Sequence, residues 1–196
     1  MRQVNLVDDA DQVIGQTDLL DAHRGDGKKH QAISLFLFRQ LKNGHFELLL
    51  QQRSSQKIVG AMQWANTLCA NVMPGESHQQ TLKRRLFEEL GMSPNKAGAV
   101  KEFMIFDYQI PCENGFCENE IDHLFISILN EKANAGLEIS PNSDEVSATD
   151  WVNWNDLQVK KVGEKKLTPW FNLFLETPEI IKKIDQTLKL WQKQNH

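Results

Sequence analysis

The chain has only three cysteines among 196 residues: Cys69, Cys112 and Cys117. A small odd count excludes a disulfide framework and predicts reduced thiols in a cytoplasmic protein. No run reaches the ~18 consecutive apolar residues of a membrane span. The opening stretch MRQVNLVDDADQV lacks the apolar core of a secretory signal, which again points to the cytoplasm. Positive charge is short: 22 Lys and Arg stand against 26 Asp and Glu, a formal net charge of -4. That argues against nucleic acid as a partner, since non-specific binding needs a basic surface. Repeats, low-complexity tracts and linkers are absent, and tyrosine occurs once, at Tyr108. What remains is ordinary. With 40% hydrophobic and 24% charged residues, the chain suits one soluble domain large enough to bury a real core.

Its patterning alternates strand and helix signals. Val4 to Val7 and Val13-Ile14, joined through Asp9-Ala10-Asp11, predict a hairpin. Asp18 to His23 has room for one or two helical turns, and Gly25-Asp26-Gly27 breaks the chain into a loop. From Ala32 to Phe38 the residues Ile33, Leu35 and Leu37 alternate against Ser34, Phe36 and Phe38, which predicts a strand. Lys42-Asn43-Gly44 turns the chain into a second strand, Phe46 to Leu50. Ser77 to Leu90 predicts a helix closed by Gly91 at C′, with Leu82, Leu86 and Leu90 as its apolar row. Val100 to Tyr108 and Ile121 to Leu129 predict long strands, and Val146 to Val152 a shorter one. Pro169 opens one C-terminal helix, and Pro178 opens another through Ile180, Ile184, Leu188 and Trp191. The expected fold class is α+β (α/β-like): a mixed β-sheet with helices packed around it. A single domain spans 1–196, with its core at about 4–175 and a C-terminal helix at 178–194.

The predicted central helix carries chemistry. In the segment from Gly75 to Gly91, Glu76 precedes the helix and Glu88 and Glu89 stand in its last turns. Carboxylates so placed can converge on a hard cation and on diphosphate oxygens. Arg84 with Glu88 and Arg85 with Glu89 also suit plain i, i+4 ion pairs on an exposed helix. The segment resembles the signature of the Nudix superfamily. Nudix hydrolases carry Arg-Glu where this chain has Arg84-Arg85, so a metal ligand is exchanged for a phosphate-binding cation. That departure is typical of one branch, the type 1 isopentenyl-diphosphate isomerases.

Three more segments are similar to that branch: Trp64-Ala65-Asn66-Thr67-Leu68-Cys69, Glu118-Asn119-Glu120 with Tyr108 before it, and Thr168-Pro169-Trp170. The resemblance covers about Val4 to Leu175 and implies a Nudix fold. It also implies the migration of a double bond by one carbon, between isopentenyl and dimethylallyl diphosphate, through a tertiary carbocation. Such a site needs an acid/base group on each face of the alkene, a cation stabiliser and a diphosphate anchor. By resemblance, Cys69 and Glu120 are the acid/base pair, Tyr108 hydrogen-bonds to Glu120, and Trp170 lies over the hydrocarbon. Arg53, Lys57 and Arg85, with a Mg²⁺ on Glu89, bind the diphosphate. His23, His30, Glu118 and Glu120 are metal ligands. The family's third histidine stands two residues after the catalytic cysteine, and here that position holds Asn71, whose amide oxygen suits Mg²⁺ better than Zn²⁺. The implied cofactor is Mg²⁺, with Mn²⁺ or Zn²⁺ possible at the His/Glu site. The implied partner is a small isoprenoid diphosphate, and the implied assembly is a monomer or weak homodimer.

Each residue also has a plainer reading. Cys69 suits a small buried hydrophobe; Glu118 and Glu120 suit the outward face of an edge strand; Tyr108 and Trp170 suit core packing, as do Trp151, Trp154 and Trp191. Cys112 and Cys117 read as ordinary thiols, and nothing places His78 or His123 in the metal site. Two rival functions follow. A Nudix hydrolase of a nucleoside diphosphate derivative has no use for Cys69 or for the Glu118-Asn119-Glu120 segment. A non-catalytic diphosphate-binding relative draws its support from Asn71.

Overall fold

The computed structural model describes residues 2–195, so Met1 and His196, the two ends of the expected domain, lie outside the described residues. The chain opens with the expected hairpin, β1 (Gln3–Val7) against β2 (Val13–Asp18). Asp18 then caps α1 (Leu19–His23) by accepting the amide N–H of Leu20 at 2.9 Å. β3 (His30–Gln40) and β4 (Phe46–Arg53) extend beyond their expected bounds. Two short strands not foreseen, β5 (Trp64–Ala65) and β6 (Leu68–Asn71), precede α2 (His78–Leu90). The long β7 (Lys101–Pro111) and β8 (Cys117–Leu129) follow, then α3 (Glu131–Ala135) and β9 (Val146–Asn153). The chain ends in α4 (Trp154–Gln158), α5 (Pro169–Glu176) and α6 (Pro178–Gln194).

α2 starts and stops as its sequence dictates. Ser77 and Gln80 form a reciprocal capping box. Gly91 ends the helix in the left-handed region at φ 60°, where a Cβ would run into the Ser140 carbonyl oxygen.

β3 is the axis of a mixed nine-stranded sheet. It pairs with β8 in parallel from His30 to Arg39, with β6 from Ala32 to Leu35, and with β4 from Phe38 to Gln40. Both of its faces are covered, so the alternation seen in the sequence divides two cores rather than a core from solvent. Ile33, Leu35 and Leu37 pack with Leu82, Leu86 and Leu90 of α2. Phe36 and Phe38 pack with Phe171, Phe174, Ile180, Ile184 and Leu188 of α5 and α6. Each such side chain, once fully buried, contributes roughly 1.5–3 kcal/mol of transfer free energy. The second face changes character along β3: Phe36 and Phe38 are apolar, whereas Ser34 and His30 on the same face are polar and buried. The candidate site lies at that polar end. Among the described residues, no helix is long and apolar enough to cross a membrane.

Candidate active site

Strand register brings the site together. His30 on β3 stands beside Glu120 of β8, and Glu120 stands opposite Tyr108 of β7. On the other side of β3, Ala32 pairs with Asn71 and Ser34 with Cys69. Alternation along each strand puts Glu118, Glu120 and Asp122 on one face, and Cys69 and Asn71 on one face. Cys69 and Glu120 thus enter from strands flanking β3. Both line one cavity of about 260 Å³, together with His23, Tyr108, Trp170 and Arg53. The edge-strand alternative for Glu118 and Glu120 is overturned, because both are buried.

Four side chains converge tightly. One ligand atom each from His23, His30, Glu118 and Glu120 lies within 4.8 Å of the others. Both histidines have a fixed tautomer. His23 Nδ1 lies 2.7 Å from the Leu19 carbonyl oxygen, and His30 Nδ1 lies 2.7 Å from that of Lys28. A carbonyl only accepts, so each Nδ1 carries a proton and each Nε2 is turned inward, where it can take a second proton or bind a cation. His30 Nε2 lies 3.1 Å from Asn71 Oδ1 and 3.4 Å from Glu120 Oε1. His23 Nε2 lies 3.0 Å from Glu118 Oε2, a buried oxygen with no other partner among the described residues. Lone pairs facing one another at such distances repel unless a proton or a cation sits among them. Burial disfavours charge on His23, but Glu118 outweighs it and raises the His23 pKa to about 9. Burial likewise opposes ionisation of Glu118, and His23 holds its pKa below the ordinary value. The residues fit a divalent cation: two imidazoles with carbonyl-fixed tautomers, two carboxylates and an adjacent amide oxygen.

Tyr108 donates its phenol proton to Glu120 Oε2 at 2.5 Å. Burial and the carboxylates of Glu120, Asp122 and Glu118 push its pKa well above ordinary, so the donor keeps its proton. Cys69 sits in a separate nest. Its Sγ–H donates to Asn66 Oδ1 at 2.9 Å and Sγ accepts from Trp170 Nε1–H at 3.2 Å. Burial, then Asp122, push the thiol pKa up. Asp122 is pushed up too, by burial and by Glu120, and it accepts the Ser34 hydroxyl at 2.7 Å. The Arg53 guanidinium lies over the Trp170 ring, 5.1 Å from its centroid.

The basic residues surround a carboxylate that the sequence reading missed. Glu145 binds Lys57 at very short range and Arg85 Nη2 at 3.0 Å. Burial works against its charge, but these two cations hold its pKa at about 2. Burial pulls Lys57 below its ordinary value despite Glu89 and Glu145 nearby. Arg85 also binds Glu88 at 2.9 Å and closes on Glu89, as Arg84 binds Glu76 and Glu88. Glu89 stands apart from the His/Glu cluster, with one oxygen taking Arg85 Nε and the other Gln51 Nε2, both at 2.9 Å.

The comparisons with known proteins agree with this geometry. The NUDIX domain family matches residues 28–171. The isopentenyl-diphosphate Delta-isomerase of Saccharopolyspora erythraea is 34% identical over 171 residues, which cover 87% of this chain and 82% of that protein. The isomerase of Photobacterium profundum is 34% identical over 89% of this chain and 92% of its own length. This chain belongs to the isopentenyl-diphosphate Delta-isomerases of the NUDIX family. The DR0079 protein of Deinococcus radiodurans shares the isomerase's fold with a TM-score of 0.66 at 16% identity, over 89% of this chain and 97% of that one.

Ser34, Asn66, Asp122 and Glu145 are the side chains of this isomerase that sequence reading did not single out for the site. Asn66 lay inside a quoted motif; the others carry no local signal, because only pairing across strands brings them in. The tryptophans set aside as packing divide. Trp154 is buried with its Nε1–H on Asp185, whereas Trp151 and Trp191 are half-buried, under Arg39 and against Phe46. Cys112 and Cys117 are free, and burial raises both thiol pKa values.

Proposed function

We propose that the protein interconverts isopentenyl diphosphate and dimethylallyl diphosphate with Cys69 and Glu120 as its acid/base pair. The observation that carries this is their arrival in one cavity from strands on either side of β3. One group gives a proton to the alkene, and the other takes a proton two carbons away. The reverse reaction exchanges the roles. Asn66 and Trp170 hold the Cys69 sulfur in place, and Tyr108 orients Glu120.

His23, His30, Glu118 and Glu120 are the proposed ligands of a divalent cation, with Asn71 at its border. Mg²⁺ is the expected ion, and Mn²⁺ or Zn²⁺ also suits this N/O donor set. When bound, the cation supplies positive charge that orients Glu120 and tunes its acidity. Asn71→His supplies the family's third imidazole and is expected to raise metal affinity by roughly tenfold or more. Metal titration of the stripped protein measures it; an unchanged affinity would remove Asn71 from the site.

Arg53, Lys57 and Arg85 are the proposed diphosphate anchors, with a Mg²⁺ on Glu89 that would take the place of its contact with Arg85 or Gln51. Glu145 holds the place of an anion between Lys57 and Arg85, and the diphosphate displaces it. Local cations thus offset a chain whose net charge is -4.

Trp170 is proposed to stabilise the carbocation through its ring face, which is worth ~2 kcal/mol when desolvated. Trp170→Phe keeps an aromatic face and is expected to retain roughly tenfold more kcat than Trp170→Val. Equal losses would reduce the role to shape.

Three free cysteines support a reducing, cytoplasmic setting. Apart from Val13 and Ile14, which share β2, the large exposed apolar side chains Phe87, Ile105 and Leu190 stand on different elements, which supports a monomer or weak homodimer. The deciding experiment is proton NMR of the protein with isopentenyl diphosphate and Mg²⁺ in D₂O. Dimethylallyl methyl signals with deuterium incorporation are expected. A folded, metal-loaded protein that converts nothing would sink the proposal.

A further inference from the structure

A second cluster, on the opposite face of β8, is unused by the isomerase chemistry. Glu118, Glu120 and Asp122 share the cavity face, so His123 points the other way, with Phe125, toward the core beneath α2. His123 is buried, beside Ile33 of β3 and opposite Ile105 of β7. His78, the first residue of α2, lies against it, with ring centroids 3.7 Å apart and the rings tilted by 35°. Glu102 of β7 joins them, and one ligand atom from each of the three lies within 4.8 Å of the others. His123 Nδ1 lies 3.1 Å from Glu102 Oε2, and its Nε2 lies 2.9 Å from Asp11 Oδ2. Asp11, at the tip of the β1–β2 hairpin, has a left-handed backbone at φ 60°, and its Oδ1 accepts Gln31 Nε2 at 2.9 Å.

We infer that His78, His123 and Glu102 form a second metal site, for a divalent transition-metal ion such as Zn²⁺, with Asp11 orienting His123. The donor chemistry is right. Two imidazoles and one carboxylate are a three-ligand zinc set that leaves a position for water. The surroundings are right as well. A ligating histidine passes its other ring N–H to a carboxylate, and Asp11 takes that part. With Nε2–H donated to Asp11, the Nδ1 lone pair faces a Glu102 oxygen at 3.1 Å, and a cation between them turns repulsion into two bonds. His78 is free for the task. Its ring lies against His123 and within reach of Glu102, with no side-chain hydrogen bond among the described residues. A protonated His123 bridging Asp11 and Glu102 is the competing arrangement. It satisfies the carboxylates but leaves His78 lying against an imidazolium with nothing to bind.

A bound ion here ties together the hairpin tip, the start of α2, β7 and β8, on the face of β8 opposite the cavity. The test counts zinc. The full chain, stripped with a chelator and dialysed against Zn²⁺, is analysed by elemental mass spectrometry. The wild type is expected to hold one more ion per chain than His78→Ala. Glu102→Gln, an isosteric change at an exposed side chain, is expected to need tenfold or more free Zn²⁺ to fill the same site. His78→Ala should keep wild-type isomerase turnover. Zinc counts in His78→Ala and Glu102→Gln that both match the wild type would overturn the site, and His123 would then be the protonated bridge. Failure of turnover in the wild type bears only on the isomerase reading, since the zinc counts do not depend on it.

Discussion

Cys69→Ala is expected to lower kcat by roughly 10³-fold or more while leaving the protein folded and KM little changed. The magnitude follows from removing one partner of an acid/base pair, which contributes about 10²–10⁴-fold. The fold should tolerate the change, because it removes one small atom and leaves a cavity too small to cost more than ~1 kcal/mol. Trp170 Nε1–H loses its sulfur acceptor and Asn66 Oδ1 loses its donor; Trp170 lines the cavity, where water can replace its contact, and the buried Asn66 oxygen costs about 1–3 kcal/mol. If Cys69 were only a buried hydrophobe, turnover would fall less than tenfold. NMR turnover in D₂O, with a thermal melt alongside, separates the two. Cys69→Ser is the sharper companion: it keeps a donor of similar shape with a much higher proton affinity, and its kcat should also collapse.

Glu120→Gln is expected to lose about as much, for two reasons that metal loading can divide. Gln keeps the size of Glu120 and can still accept the Tyr108 hydroxyl through its amide oxygen. It cannot take a proton, and it brings a neutral oxygen to a cation site built from two histidines and two carboxylates. Metal affinity should therefore fall, by roughly 10–100-fold. Raising the metal concentration until the site refills should restore occupancy but not turnover. Recovery of turnover on reloading would reduce Glu120 to a metal ligand and move the second acid/base role to another group. Glu118→Gln supplies the contrast: it should lower metal affinity while regaining much of its turnover when the metal is in excess.

Local signals were legible where one short segment does one job. Ser77 and Gln80 cap α2, Gly91 stops it, and Pro169 and Pro178 open the last two helices as their φ restriction dictates. β5, β6, α3 and α4 were not legible. They are two to five residues long, and such lengths are decided by what they pair with or pack on, not by periodicity. β3 was read as a strand, but its alternation could not reveal that both faces are buried, since Phe36 and Ile33 look alike until a helix covers each.

The same division holds for the site. The sequence by itself determined the candidate set: Cys69, Tyr108, Glu118, Glu120, Trp170, the two histidines, the basic residues, and Asn71 where the resemblance implies a histidine. Those are choices of chemistry, and chemistry is carried by side-chain type at fixed spacing. Only the tertiary structure decided which of these groups meet and what each is already holding. Glu145 lies 60 residues beyond Arg85 and still neutralises it, together with Lys57. Glu89 is spent on Arg85 and Gln51, away from the histidines. Asp122 and Ser34 back Cys69 because β8 and β6 flank the same strand. Charges and hydrogen bonds act over a few ångströms of space, and strand register, which no local pattern encodes, sets those distances.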